Sequence, residues 1–90
     1  MAWKVELDPG AERDLDKLDF QIAKRIVRFL HERVAALDDP RSIGEALRGS
    51  KLGSFWKYRV GDYRIICDIQ DQKLLILTLR VGHRGQIYDR

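Results

Sequence analysis

Six side chains in the second half of the chain are of types that could together act on a phosphodiester. They are Lys57, Arg59, Arg64, His83, Arg84 and Tyr88. Cleaving RNA through the neighbouring 2′-hydroxyl needs three things: a base for that hydroxyl, an acid for the departing 5′-oxygen, and cations for the charge growing on the phosphoryl oxygens. Arginine suits the last role because its planar fork meets two phosphate oxygens at once. Histidine is a conventional acid or base near neutral pH. Tyrosine, with an ordinary pKa of about 10, becomes a reasonable base only where surrounding cations favour its phenolate. Other site types have no counterpart: the sequence has no P-loop glycines, no Cys/His metal spacing and no Gly-x-Ser-x-Gly. No metal and no cofactor is expected.

The element that must position most of these residues is the stretch from Phe55 to Asp68. It alternates with period 2, breaks at Gly61-Asp62 and alternates again, the pattern of a β-hairpin with a two-residue turn. In that register Val60 opposes Tyr63, Arg59 opposes Arg64 and Lys57 opposes Ile66. One face carries Trp56, Tyr58, Val60, Tyr63, Ile65, Cys67 and Ile69, and the other carries Lys57, Arg59 and Arg64. Two arginines directly opposed across a strand pair destabilise it, and a bound polyanion would neutralise them. Arg48 and Lys51, in the small-residue loop before the hairpin, are further candidate RNA contacts beside Lys57 and Arg59. His83, Arg84 and Tyr88 follow the last apolar run, where an adjacent antiparallel strand would bring them near the basic face.

The remaining elements read as a frame for that hairpin. Trp3, Val5 and Leu7 alternate as a first strand. Asp8-Pro9 opens a helix that carries Ala11, Leu15 and Leu18, and Asp19 caps a second helix with the stripe Ile22, Ile26, Phe29, Leu30, Val34 and Leu37. Lys24, Arg25, Arg28 and Arg33 fall mostly off that stripe and read as a solvated face. Asp38-Asp39-Pro40 ends the helix, Arg41 to Leu47 is a connector or one helical turn, and Asp71-Gln72 turns the chain into Lys73–Val81. That last run lacks alternation and reads as a central strand covered on both faces. The expected fold class is α+β, a single domain over residues 1–90 in the order β-α-α-β-β-β, with an αα-hairpin packed on an antiparallel sheet.

Composition restricts the function further. At 44% hydrophobic and 34% charged residues the chain is globular rather than disordered. No apolar run is long enough to span a membrane, and Met1 to Asp8 lacks a signal-peptide core. Cys67 alone supports no disulfide framework, so a reducing, cytoplasmic location is expected. The net charge of +3 is unevenly spread: residues 1–47 hold eight Lys/Arg against ten Asp/Glu, and residues 48–90 hold nine against four. The basic excess therefore belongs to the half with the hairpin, as expected for a polyanion footprint.

The pieces Leu47-Arg48-Gly49, Trp56-Lys57-Tyr58-Arg59-Val60-Gly61-Asp62-Tyr63-Arg64, Val81-Gly82-His83-Arg84 and Ile87-Tyr88 occur in an order that resembles toxins of the RelE/ParE superfamily, closer to the RelE branch. The resemblance covers nearly the whole chain. It implies a metal-free endoribonuclease that enters the A site of the 30S ribosome, cuts mRNA to a 2′,3′-cyclic phosphate and a 5′-hydroxyl, and is held inactive by an antitoxin protein. By the same resemblance Arg64 and Arg84 stabilise the phosphate, Lys57 and Arg59 are the paired basic residues of the hairpin strand, and Tyr88 is the C-terminal catalytic tyrosine. Arg59 stands where the best-known member has lysine; since guanidinium is a poor proton donor, charge stabilisation is its expected role. The shorter gap between Arg84 and Tyr88 leaves His83 to share acid–base work. Phe55 and Ile66 are candidate anchors for the antitoxin. Two other functions fit the same pattern: a ParE-like toxin that binds DNA gyrase without chemistry of its own, and a non-catalytic RNA-binding module.

Overall fold

The architecture is a five-stranded mixed sheet with two helices, and each helix begins where an aspartate can cap it. The computed structural model describes residues 3–47 and 55–83. Strand β1 (Lys4–Leu7) leads into α1 (Pro9–Asp16), where Asp8 Oδ2 accepts from the Gly10 amide at 3.0 Å and Pro9 occupies the first turn. Asp19 repeats the device for α2 (Phe20–Arg28), accepting from the Gln21 amide at 3.0 Å. The helix then continues, without a break, as one wide π turn over Phe29–Val34, closed by the Ala35 amide donating to the Leu30 carbonyl at 2.9 Å. Pro40–Ile43 forms a 3₁₀ turn, followed by the short β2 (Glu45–Ala46), then β3 (Phe55–Val60), β4 (Tyr63–Gln70) and β5 (Leu75–His83).

The sheet order is β1-β5-β4-β3-β2. The hairpin has the expected register: Val60 faces Tyr63, Arg59 faces Arg64 and Lys57 faces Ile66. Its turn places Gly61 at φ +59°, the positive angle that a two-residue hairpin with glycine first requires. Two strand relations go beyond the sequence reading. β1 runs parallel to β5, with Lys4 opposite Leu75 and Leu7 opposite Thr78, so the sheet is mixed. The connector contributes β2, which adds a fifth strand beside β3. β5 also runs two residues further than expected, to His83, and lies between β1 and β4. Its missing alternation has a local cause. Cys67 pairs with Thr78 but Ile66 pairs with Arg80, so Leu79 is an extra residue, a β-bulge that swings Arg80 outward and Val81 into the core.

One core binds the layers. Ile26, Leu30 and Val34 from the second helix, Ala11 and Leu15 from the first, and Tyr58, Ile65, Cys67, Ile76 and Val81 from the sheet form a single buried cluster. The Cys67 thiol meets the Thr78 hydroxyl at 3.5 Å, and burial pushes its pKa up to about 12, so it stays a protonated packing group at neutral pH. Beyond Leu7, the edge of β5 loses β1 as a neighbour and α1 takes over. Asp14 accepts from the Val81 amide at 2.8 Å and from Arg80 Nε at 2.8 Å. A strand edge is thereby closed with a carboxylate. No helix among the described residues is long and apolar enough to cross a membrane.

Candidate active site

The basic residues of the hairpin come together around a small pocket of about 150 Å³ on the sheet face away from the helices. Ile43, Glu45, Lys57, Tyr58, Arg59 and Arg64 line it. Arg59 and Arg64 are cross-strand partners one step in from the turn, a position where opposed Cα atoms lie roughly 4.5 Å apart and side chains are closest. Neither arginine has an ion pair or hydrogen bond among the described residues. The field between them is therefore positive and uncompensated by any described acidic contact. Lys57 differs: Glu45 on β2 sits opposite it, and its Nζ lies 3.2 Å from Glu45 Oε1. The pocket thus holds two guanidinium groups, one ammonium and one carboxylate.

Glu45 is a site residue the sequence reading did not single out, and its placement depends on the residues just before it. The 3₁₀ turn is capped by Asp39, which accepts from the Arg41 amide at 3.1 Å. Tyr58, 1% exposed, donates its hydroxyl to the Pro40 carbonyl at 2.7 Å and so ties that turn to β3. Burial raises the Tyr58 pKa well above its usual value, so this donor keeps its proton. Gly44 then crosses the Tyr58 ring so closely that a Cβ would stand 2.8 Å from Cε1 and 3.3 Å from the Lys57 carbonyl. Only a residue without a side chain lets the connector approach this near, and the approach is what seats Glu45 beside Lys57. Arg41 fastens the other end: it bridges to both carboxylate oxygens of Asp71 in the β4–β5 turn and lies 6.0 Å from the centre of the Trp56 ring.

His83 is placed differently from the arginines. It pairs with Tyr63, one residue before Arg64, so strand alternation puts it on the face that bears the core. Its ring meets Tyr63 edge-on, with centroids 5.4 Å apart and planes at 85°. Gly82, not His83, is the residue opposite Arg64. Arg48, Lys51, Arg84 and Tyr88 lie outside the described residues. Among the described residues, no group of three or more His, Cys, Asp or Glu is arranged to hold a metal ion. Of the proposed anchors, Ile66 is on the pocket face opposite Lys57 and 7% exposed, while Phe55 is half-buried at the start of β3.

Chemically, the pocket can bind a phosphate dianion or phosphodiester between Arg59 and Arg64, and it holds one proton donor and one proton acceptor side by side in Lys57 and Glu45. That is the inventory for moving a proton at a phosphate ester. The comparisons with known proteins find the same small α+β fold. Among solved structures, the RelBE2 toxin–antitoxin complex of Mycobacterium tuberculosis contains a chain that superposes with a TM-score of 0.84 at 30% identity, over 96% of this chain and 95% of that one. The isolated RelE toxin of Escherichia coli shares the fold at a TM-score of 0.72 and 20% identity, over 94% and 87% of the two chains. In sequence, the toxin RelG of M. tuberculosis is 34% identical over the full length of both chains, and the mRNA interferase toxin RelE of E. coli is 27% identical over 98% of this chain and 92% of that one. The family model described as the ParE toxin of type II toxin–antitoxin systems matches residues 5–88. The chain belongs to this family: it is a type II toxin of the RelE/ParE superfamily, with RelE-type proteins among its relatives.

Proposed function

We propose that this toxin is an endoribonuclease that cleaves mRNA in the ribosomal A site, with the scissile phosphate seated in the pocket between β2, β3 and β4. The observation that carries this reading is the cross-strand pair Arg59–Arg64, without an ion pair among the described residues, beside the Lys57–Glu45 couple on one open face. In the reaction the substrate's 2′-oxygen attacks phosphorus as its proton passes to a base. The bond to the 5′-oxygen breaks, and that oxygen takes a proton from an acid, leaving a 2′,3′-cyclic phosphate and a 5′-hydroxyl. Arg64 and Arg59 hold the phosphoryl oxygens as their charge grows. Within the described residues Glu45 is the base and Lys57 the acid. Arg84 and Tyr88, assigned by the family resemblance, complete the proposed catalytic set, and His83, which pairs with Tyr63 on the core-bearing face, is not part of the pocket. The nucleophile and the leaving group both belong to the substrate, and each proton transfer and growing charge has a protein group to carry it, so the proposed reaction needs no metal. A cognate antitoxin, as in the RelBE2 complex of the relative, keeps the basic face covered until the toxin is released; half-buried Phe55 offers it an apolar contact, whereas Ile66, expected as a second anchor, is buried under its strand neighbours.

The test is 5′-end mapping of mRNA after brief induction, in wild type and in Arg64→Ala and Glu45→Gln variants. The expected result is A-site cuts that fall at least roughly 10²-fold in each variant, the usual range for losing a general acid, a base or an oxyanion donor. Intact mRNA together with double-strand DNA breaks would instead make the protein a gyrase-directed toxin. That alternative is disfavoured by the pocket, because a proton donor and acceptor at a phosphate site have no use in it.

A further inference from the structure

A second, larger depression lies around the corner from the pocket, between the second helix and the tip of the hairpin. Its volume is about 720 Å³, and Lys24, Arg25, Arg28, Arg33 and Arg59 supply five cations to its lining. The one acidic lining residue, Glu32, lies 3.6 Å from Arg28 in an i,i+4 pair. Read along the helix alone, these cations looked like a solvated face. The fold gives them a counterwall: Arg25 reaches the hairpin tip, with Nη1 3.7 Å from where a Cβ on Gly61 would stand, and Arg59 contributes to this groove and to the active-site pocket alike. The wide π turn at Phe29–Val34 lies along the same wall and carries Phe29, Glu32 and Arg33.

An exposed aromatic residue immediately precedes the first lining residue, Gln21. Phe20, the first residue of α2, is 72% exposed, the most exposed large apolar side chain among the described residues. It precedes Lys24 and Arg28 by one and two turns, so the three share a side of the helix, with roughly 6 Å of rise between neighbours. Gln21, beside it, lines the groove. A charged groove with an aromatic platform beside it is the composition that binds a single-stranded nucleic acid, phosphates along the cations and a base on the ring. An acidic protein segment would satisfy the charges but does not need the exposed phenyl ring of Phe20 beside them.

We infer that this groove is a second RNA-binding site, which holds the sugar–phosphate backbone of a strand passing Arg59 and stacks an unpaired base on Phe20. It goes beyond the cleavage reaction, because binding here needs neither Glu45 nor Lys57. The test measures fluorescence anisotropy of a labelled, fully 2′-O-methylated single-stranded RNA, which cannot be cleaved, against the full chain over a range of KCl. Three proteins are compared with wild type: K24Q/R25Q/R28Q, F20S, and the charge-matched control K4Q/R13Q/K73Q, whose sites are exposed and outside the groove lining. Circular dichroism verifies that each is folded.

The groove triple variant should bind at least tenfold more weakly at low salt, and its slope of log affinity against log salt should flatten by about 2, near the 0.7 per phosphate contact of single strands. F20S should weaken binding about tenfold with the slope unchanged, because stacking releases no counterions. Equal losses in the groove and control triples would reduce the effect to net charge and overturn the inference. So would unchanged RNA affinity in the groove triple, including the case where that variant loses a labelled poly-glutamate peptide instead. Because the probe cannot be cut, failure of the nuclease reading would leave this result standing.

Discussion

Replacing Gly44 with alanine adds a single methyl group at the contact that seats Glu45, and its effect can be worked out from the coordinates. The new Cβ would stand 2.8 Å from Tyr58 Cε1, 3.1 Å from Cζ and 3.3 Å from the Lys57 carbonyl oxygen. Carbon contacts settle near 3.5–4.0 Å, so the two chains must part by roughly 0.7 Å or more. The ring has nowhere to go, since Tyr58 is 1% exposed, packs edge-on against Phe29 at 6.2 Å and is held by its hydroxyl on Pro40. The backbone itself raises no objection, because φ −112° and ψ 179° are extended values open to any residue. Alanine therefore gains about 0.4–1 kcal/mol from the less flexible unfolded chain and loses about 1–3 kcal/mol to overpacking. A net loss near 1–2 kcal/mol corresponds to a fall in Tm of very roughly 5–15 °C for a domain of this size. The shift of Glu45 away from Lys57 should cost more in activity than in stability, since a misplacement near 1 Å can lower a rate about 10²-fold. Thermal unfolding and single-turnover cleavage of ribosome-bound mRNA measure the two effects. A second substitution, Y58L, relieves the contact and should be less destabilising in the G44A background than alone. If G44A melts at or above the wild-type temperature, the close crossing is not a rigid contact and the account of how Glu45 is positioned fails.

The opposed arginines should show a trade between stability and function. Arg59→Thr removes a like-charge cross-strand pair worth roughly 0.2–1 kcal/mol, so the variant should melt a few degrees higher at low salt while binding RNA more weakly; added KCl should close the gap in Tm, and an unchanged melting temperature at low salt would mean the pair is not strained. Asp14→Ala should destabilise by about 2 kcal/mol, because it removes a charge-assisted partner of Arg80 and the acceptor of the Val81 amide. Burial pushes the Asp14 carboxyl up, but hydrogen bonds from Arg80 and Val81 more than offset it and hold its pKa below the usual 3.8. Its contribution is therefore present above that value and is lost as pH falls through the lower folded one, so urea midpoints taken down to pH 2.5 should converge for wild type and Asp14→Asn. A constant offset over that range would show that the carboxylate's charge does not matter.

How much of this was readable in the sequence follows from how local each signal is. The hairpin was legible residue by residue, because its period of 2 and its Gly61-Asp62 turn fix the register within fourteen positions. The caps at Asp8 and Asp19 were legible for the same reason. The parallel pairing of β1 with β5 was not, since a parallel partner leaves no turn to mark its register. β2 is two residues long and shows no period at all. Its importance, and with it that of Glu45, comes from Gly44 crossing Tyr58, a contact that only the folded chain creates. Lys24, Arg25 and Arg28 looked like a solvated face because a helix read alone cannot show what stands opposite it. That Lys57, Arg59 and Arg64 are neighbours is legible because one hairpin carries all three. His83 was expected near them, but the register gives Gly82 that position.

The pairing of β1 with β5 also dictates the order in which the molecule can be assembled. β3, β4 and β5 are joined by tight turns and can zip together as neighbours, whereas residues 4 and 75 must find each other across almost the whole chain. A nascent polypeptide that has not yet released β5 offers β1 no seat. It also gives Asp14 no Val81 to hold and leaves the helical layer without the sheet it packs on. Synthesis from the N-terminus therefore makes β5, the strand that joins β1 to the rest of the sheet, after the other four. A ribosome that stalls before that point yields an unfolded fragment rather than a toxin, and the need for neutralisation begins only once β5 has emerged.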